Sequence, residues 1–210
     1  MAGNLGWSPR FHAWLLVRFN SLYEPHVAPR KRALFGDLRG EVLEIGPGTG
    51  PNLAYYRSEI HWIGVEPNPF LQIHLREQAR RLGRPIELRP GKAERLEAED
   101  QSMDAVVSTL VLCSVDDVPG VLREILRVLR PGGRFYFVEH VAARQRWGRL
   151  LQRLLGPLIQ LIGDGCHPDR ETWAAIESAG FDCVRLEHFR VPIPIFAPHI
   201  AGVARKKLTP

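Results

Sequence analysis

Glu41-Val42-Leu43-Glu44-Ile45-Gly46-Pro47-Gly48-Thr49-Gly50 is the stretch from which the fold is read. A short apolar run of the kind that forms a buried strand breaks into glycines at every second position, and Pro51-Asn52-Leu53 then offers a helix start. Glycine suits such a turn because a ligand has to approach the backbone and the chain has to visit φ values that a Cβ penalises. The N–H groups of the helix start are then free for something polar. A dinucleotide site asks for G-x-G-x-x-G; here the spacing is G-x-G-x-G, and Pro51 stands where the third glycine would. The next apolar run, His61-Trp62-Ile63-Gly64-Val65, ends in Glu66. That carboxylate lies roughly twenty residues past the glycines, where a nucleoside-binding αβ unit places the acid that accepts the ribose hydroxyls.

The chain has 210 residues, a length that suits one domain with a sizeable core over 1–210. Within it, 1–36 is expected to form an N-terminal helical cap and 143–168 a helical lid insertion. The formal net charge is +5 and the isoelectric point about 9.4. The arginines are scattered rather than gathered into a basic tail, which argues against nucleic acid as a partner. Cys113, Cys166 and Cys183 are widely spaced, with no C-x-x-C and no Cys/His grouping at zinc spacing, so neither a metal nor a disulfide framework is expected. No basic region followed by an apolar stretch and cleavage site marks a signal peptide. No run reaches the ~18 apolar residues of a membrane span. A cytoplasmic protein is expected, with peripheral membrane contact through amphipathic helices left open and the oligomeric state unread.

Along the chain, Phe11, Trp14, Leu15, Phe19 and Leu22 give Pro9 to Tyr23 a helical stripe. A helix through Arg81 leads to a third strand, Ile86 to Arg89, and a fourth strand covers Met103 to Ser108. Asp117 to Leu129 has helical period, Pro131-Gly132-Gly133 stops it, and Arg134 to His140 forms a fifth strand. Trp147 to Ile162 is amphipathic, apolar residues opposing Arg146, Arg149, Gln152 and Arg153, with a kink expected at Pro157. A substrate lid, a membrane-surface contact and plain core packing all fit it. Gly163 to Pro168 is a second unusual loop before a helix, Asp169 to Ala179, whose Gly180 reads as a left-handed cap. The last strands, Cys183 to Arg190 and Ile200 to Lys206, flank a proline-rich excursion.

The pattern E-x-G-x-G-x-G from Glu44 resembles the first motif of the class I S-adenosylmethionine-dependent methyltransferases. More particular segments are Lys31-Arg32-Ala33-Leu34-Phe35, Pro67-Asn68-Pro69, Thr109-Leu110-Val111-Leu112-Cys113-Ser114-Val115, Glu139-His140-Val141-Ala142, Gly163-Asp164-Gly165-Cys166 and Pro198-His199-Ile200. Through them the chain is similar to the methyltransferase-like branch that includes the mammalian microsomal alkyl-thiol S-methyltransferases, over about Lys31 to Lys206. The resemblance implies an α/β, Rossmann-like seven-stranded sheet, mostly parallel with an antiparallel last strand and helices on both faces. It also implies a small-molecule substrate and S-adenosyl-L-methionine as cofactor, with S-adenosyl-L-homocysteine as product. The cofactor positions it marks are Glu44, Gly46, Pro47, Gly48, Thr49, Gly50, Asn52, Glu66, Pro67, Asn68, Thr109 and Leu110, with the Ala93 amide and Glu94 reading the adenine. Two departures stand out: the second-strand acid is Glu66 where Asp is common, and no counterpart of the N-terminal membrane segment of the mammalian members is expected from this sequence. The N-P-P-Y, D-P-P-Y and Pro-Cys signatures of base methylation are absent from the sequence.

Methyl transfer from a sulfonium is an in-line displacement, which chiefly requires nucleophile, methyl and leaving sulfur to be aligned away from water. A thiol is a few per cent thiolate at neutral pH and needs little help. His140, Asp164 and His167 are the candidates to orient or deprotonate it, although His140 at a strand end also reads as a buried structural histidine. A quinone carbon or a phenol oxygen is the alternative acceptor, and a silent cofactor-binding or membrane-peripheral protein is the reading from another class.

Overall fold

β1 (Glu41–Ile45), the strand that feeds the glycine turn, is buried along all but its first residue. Such burial belongs to a strand covered on both faces, and the register places it at the centre of the sheet. It pairs in parallel with β2 (His61–Val65) on one side and β4 (Met103–Thr109) on the other. The computed structural model describes residues 9–89, 91–163, 165–193 and 196–208. Beyond β2 lies β3 (Glu87–Arg89) and beyond β4 lies β5 (Leu129–His140), both parallel. β7 (Pro198–Arg205) runs antiparallel between β5 and β6 (Cys183–Arg190), so the order is β3-β2-β1-β4-β5-β7-β6. The sheet is the expected one, with its last strand reversed.

Alternation along the strands builds two apolar layers. Leu43, Ile45, Ile63, Val65, Val106, Phe135 and Phe137 face one layer, closed by α3 (Val118–Val128) and α5 (Thr172–Ser178). Val42, Trp62, Ala105, Val107 and Val138 face the other, closed by α1 (Pro9–Phe35) and α2 (Pro69–Arg81). α3 shows the logic locally: Asp117 caps it by accepting from Gly120 N at 2.9 Å, and Val121, Ile125 and Val128 are fully buried. Each such side chain contributes roughly 1.5–3 kcal/mol by leaving water. The chain leaves β1 toward β2 but returns on the opposite side through β4, and that reversal opens a crevice above the strands' carboxyl ends.

Several boundaries differ from the sequence reading. α1 runs on through Pro25 and Pro29 to Phe35, beyond the Pro9 to Tyr23 stripe. Tyr23, Val27, Lys31 and Phe35, four residues apart, form its buried stripe, and their packing outweighs the ~3 kcal/mol that an internal proline costs a helix. The earlier aromatic stripe is partly turned outward, with Trp14 and Leu22 exposed. The helix expected at Pro51 is a single 3₁₀ turn, Pro51–Ala54, entered from Gly50 at φ 80°. Pro131-Gly132-Gly133 lies inside β5, where the pairing with β4 slips between Met103 and Ala105. α5 is shorter than its expected span.

α4 (Arg146–Ile162) passes through Pro157 and buries only Gln152, Gly156 and Ile159. Gln152 ties it to the end of β5, Oε1 accepting from Ala143 N at 2.7 Å and Nε2 donating to Val141 O at 3.2 Å. Its leucine face points outward, Trp147 and Leu154 each being 70% exposed. Core packing therefore does not explain that face. No helix among the described residues is long and apolar enough to cross a membrane.

Candidate active site

Above the carboxyl ends of β1, β2 and β4 lies a cavity of about 380 Å³ whose wall is the glycine turn. The turn is pinned by its own backbone, Gly46 N donating to Val65 O and Gly50 N to Pro47 O, both at 2.9 Å. Gly46 has φ 57°, and a Cβ there would fall 2.6 Å from Val111 Cγ2. That space is closed to any side chain, which leaves bare backbone toward the cavity.

Glu66 ends β2 with a carboxylate already oriented: Oε2 accepts from Gly48 N at 2.9 Å and Oε1 from Asn68 N at 2.8 Å. Asn68 also caps α2, accepting from Phe70 N at 3.0 Å, and donates to Pro9 O at 3.1 Å. Glu44 borders the cavity but is engaged internally, accepting from Asn52 Nδ2 at 2.7 Å, Tyr56 Oη at 2.8 Å and Trp62 Nε1 at 2.9 Å. Burial pushes its carboxyl up and those three hydrogen bonds oppose the shift. Glu44 therefore acts on the cavity through Asn52. The Asn52 amide donates to both Glu44 and, at 3.0 Å, Thr109 Oγ1, which fixes its orientation. Its Oδ1 is buried with no partner among the described residues. A buried amide oxygen left unpaired costs free energy until a donor reaches it.

α1 closes the cavity from above with Leu16, Asn20, Tyr23 and Lys31. Asn20 Nδ2 donates to Thr49 Oγ1 at 2.9 Å, so Thr49 joins the turn to this helix and does not line the cavity. Lys31 is 1% exposed and pairs with Glu24 Oε2 at 2.8 Å. Burial lowers its ammonium's pKa, with Glu24 pulling in the opposite direction. Ala93 and Glu94 border the far end, where Glu94 Oε1 accepts from Asp116 N at 3.3 Å.

A second cavity of about 280 Å³ adjoins the first, sharing Leu16, Leu71, Leu110, Ser114 and Gly163 as a common wall. Leu110 holds φ 59°, a left-handed backbone that strains a branched side chain, and its N–H donates to Val138 O at 3.0 Å. Glu139 braces the same loop, bonded to Ser108 Oγ and accepting from Val111 N at 3.3 Å and Leu112 N at 3.1 Å. Burial first, then the neighbouring Cys113, pushes its carboxyl up to about 8. The second cavity is lined by Leu15, Phe19, Ile162 and Phe196 together with Cys113, Cys166, His12, His140 and His199, and among the described residues no Asp, Glu, Lys or Arg borders it. Cys166 Sγ lies 3.9 Å from His140 Nδ1, while contact with Cys166 and burial push the Cys113 thiol well up.

The Methyltransferase domain family matches residues 43–137. Human thiol S-methyltransferase TMT1A is 39% identical over 215 residues, 95% of this chain and 86% of that protein. Rat thiol S-methyltransferase TMT1B is 38% identical, covering 95% and 89%. This chain belongs to the class I S-adenosylmethionine-dependent methyltransferases, in that branch. The YcgJ protein of Bacillus subtilis superposes with a TM-score of 0.70 at 16% identity, over 88% of the methyltransferase and 99% of its own chain, a likeness of fold.

Of the residues singled out in the methyltransferase sequence, Glu44, Gly46, Pro47, Gly48, Asn52, Glu66, Pro67, Ala93, Glu94, Thr109 and Leu110 converge on the first cavity. Gly50, Thr49 and Asn68 support it from behind. His140 lies in the second cavity; His167 lines neither, its Nδ1 accepting from Gln160 Nε2 at 3.0 Å. Burial and then Arg170 hold that imidazole below its usual pKa. Asp164 lies outside the described residues. Sequence reasoning missed Asn20, Tyr23, Lys31 and His199. The signal available for the last two was their place in the Lys31–Phe35 and Pro198–Ile200 segments.

Proposed function

We propose that this methyltransferase moves the methyl group of S-adenosylmethionine to a thiol carried on an uncharged, apolar body. The observation that supports this reading is the pair of adjoining cavities, one polar and backed by the glycine turn, the other largely apolar and, among the described residues, free of Asp, Glu, Lys and Arg. The unpaired Asn52 Oδ1 and the bare backbone at Gly46 and Gly48 suit the nucleoside sulfonium. Bound there, it supplies an electrophilic methyl. Glu66 accepts from the ribose hydroxyls, Asn52 Oδ1 accepts from the ammonium of the amino-acid tail and Lys31 faces the tail carboxylate. Ala93 and Glu94 meet the adenine. Leu110 and its neighbours in the common wall exclude water from the line of transfer, and His140 orients the acceptor from the floor of the second cavity. The names of TMT1A and TMT1B favour sulfur as the accepting atom.

The test is incubation of the purified protein with labelled S-adenosylmethionine and a panel of apolar thiols, phenols and quinols. Label is expected in the thiols. Label confined to phenols or quinols refutes the choice of atom, and cofactor binding without any turnover refutes catalysis.

Peripheral contact between α4 and an anionic membrane surface belongs to the same proposal. Its outward leucines and Trp147 stand beside a cleft bordered by Arg144, Arg146, Arg149 and Arg153, a pairing of apolar and basic surface that suits lipid headgroups. Sedimentation with vesicles containing phosphatidylserine is expected to carry the protein down, and equal recovery with neutral vesicles refutes the electrostatic part.

A further inference from the structure

His199 stands on β7 directly across from His140 on β5, so two imidazoles reach the same apolar cavity from adjacent antiparallel strands. The His199 ring is 1% exposed and is walled by Tyr23, Phe189 and His140 at centroid separations of 5.4, 5.3 and 5.6 Å. Its Nδ1 lies 3.3 Å from Ala197 O. A carbonyl only accepts, so the ring proton sits on Nδ1 and Nε2 carries a lone pair. That Nε2 is buried and has no partner among the described residues. Burial and then His140 push the imidazole down to about 3, so the ring stays neutral through the physiological range and the lone pair is always available. A buried acceptor with no donor among the described residues, in a largely apolar chamber, calls for a ligand that brings a hydrogen.

We propose that His199 Nε2 accepts the S–H hydrogen of the methyl acceptor and takes that proton during transfer. This rests on the thiol reading given above. As the thiol sulfur attacks, its bond to the methyl carbon forms and the bond from that carbon to the sulfonium sulfur breaks, its electron pair staying on the departing sulfur. The S–H proton passes to Nε2, and the Nδ1–H remains on Ala197 O. A sulfide protonated on sulfur is a far stronger acid than an imidazolium, so even a weakly basic ring suffices. One positive charge leaves the sulfonium and one appears on the imidazole, so the site's total charge is unchanged through the step. The class selected is neutral, hydrogen-bearing nucleophiles; a sulfide, which lacks the hydrogen, is released.

The experiment compares wild type, His199→Phe and His199→Gln, with His140→Phe as reference. Three quantities are read: binding of S-adenosylhomocysteine by calorimetry, kcat and KM for hexanethiol, and the ratio of affinities for hexanethiol over hexyl methyl sulfide. Wild type is expected to prefer the thiol by about tenfold, in keeping with one neutral hydrogen bond. His199→Phe is expected to bind S-adenosylhomocysteine within about twofold of wild type, to lose the preference, and to lose about 100-fold in kcat, the lower end of what general-base catalysis supplies. His199→Gln retains an acceptor oxygen near the place of Nε2 but no basic nitrogen. It should keep the preference, lose kcat, and decide the matter if the Phe variant loses cofactor binding. Retention of wild-type kcat in His199→Gln, or of the thiol preference in His199→Phe, overturns the proposal. So does loss confined to His140→Phe. A wild-type protein that binds S-adenosylhomocysteine and methylates no thiol refutes the underlying thiol reading, a separate outcome visible before any variant is made.

Discussion

Replacing Glu139 by Gln isolates the cost of a buried acid in the loop between the two cavities. The carboxyl titrates at about 8 in the folded chain against an ordinary value of 4.5, because burial and Cys113 disfavour its charge. Between those values the folded state holds a proton that the unfolded state has released. The stabilisation of the protonated form is therefore fully present below about pH 4.5 and is lost as pH rises toward 8. At 1.36 kcal/mol per unit, ionisation costs about 2 kcal/mol at pH 6 and about 4.5 kcal/mol at pH 8.5, a difference of about 2.5 kcal/mol. Gln matches the protonated acid in carrying no charge: its oxygen, in the place of Oε2, accepts from Leu112 N and its NH₂ donates to Ser108 Oγ, while the 3.3 Å bond from Val111 N is lost equally at every pH. Urea denaturation of both proteins at pH 6 and 8.5 measures the effect, and comparing the variant with wild type cancels every other titrating group. The variant's advantage is expected to widen by about 2.5 kcal/mol over that interval. An advantage that stays constant or narrows refutes the assignment of Glu139 as the titrating group.

Glu66→Ala removes a charged acceptor of ribose hydroxyls and releases Gly48 N and Asn68 N; S-adenosylhomocysteine affinity is expected to fall about 100-fold by calorimetry, two charge-assisted bonds being involved. Asn52→Asp sets a second carboxylate against buried Glu44, so thermal stability should drop more than in Asn52→Ala, measured by calorimetric melting; the reverse order counts against the pairing described. Tyr56→Phe takes one of three donors from Glu44 and is expected to cost about 1–3 kcal/mol in urea denaturation, the penalty for an under-bonded buried charge.

How much could be read from the chain alone varied with how local the signal was. The strands and the glycine turn were legible because alternation and glycine spacing act within a few residues, and Glu66 was legible because it ends one of those strands. The length of α1 was less so, since the apolar period read from Pro9 to Tyr23 ends there and the buried stripe that carries the helix on to Phe35 includes a lysine. Glu44 resembles a ligand-binding acid in sequence, yet its partners Tyr56 and Trp62 arrive from a loop and from a neighbouring strand, so its internal engagement depends on tertiary structure. His199 was hidden for a similar reason: its meaning comes from pairing with His140, 59 positions earlier, across an antiparallel ladder. The outward leucines of α4 carry the same periodicity as a buried helix, and periodicity does not say which side meets water.

The two adjoining chambers draw on different stretches of chain. Apart from α1, the loop after β4 and the shared Leu71 and Gly163, the donor side comes from residues before β5, while the acceptor side comes from the end of β5 onward. Drift in which molecule is methylated can thus accumulate in the last third of the protein while the donor half is inherited untouched. Chimaeras exchanged after position 140 between homologues should inherit the recipient's donor affinity and the contributor's taste in acceptors.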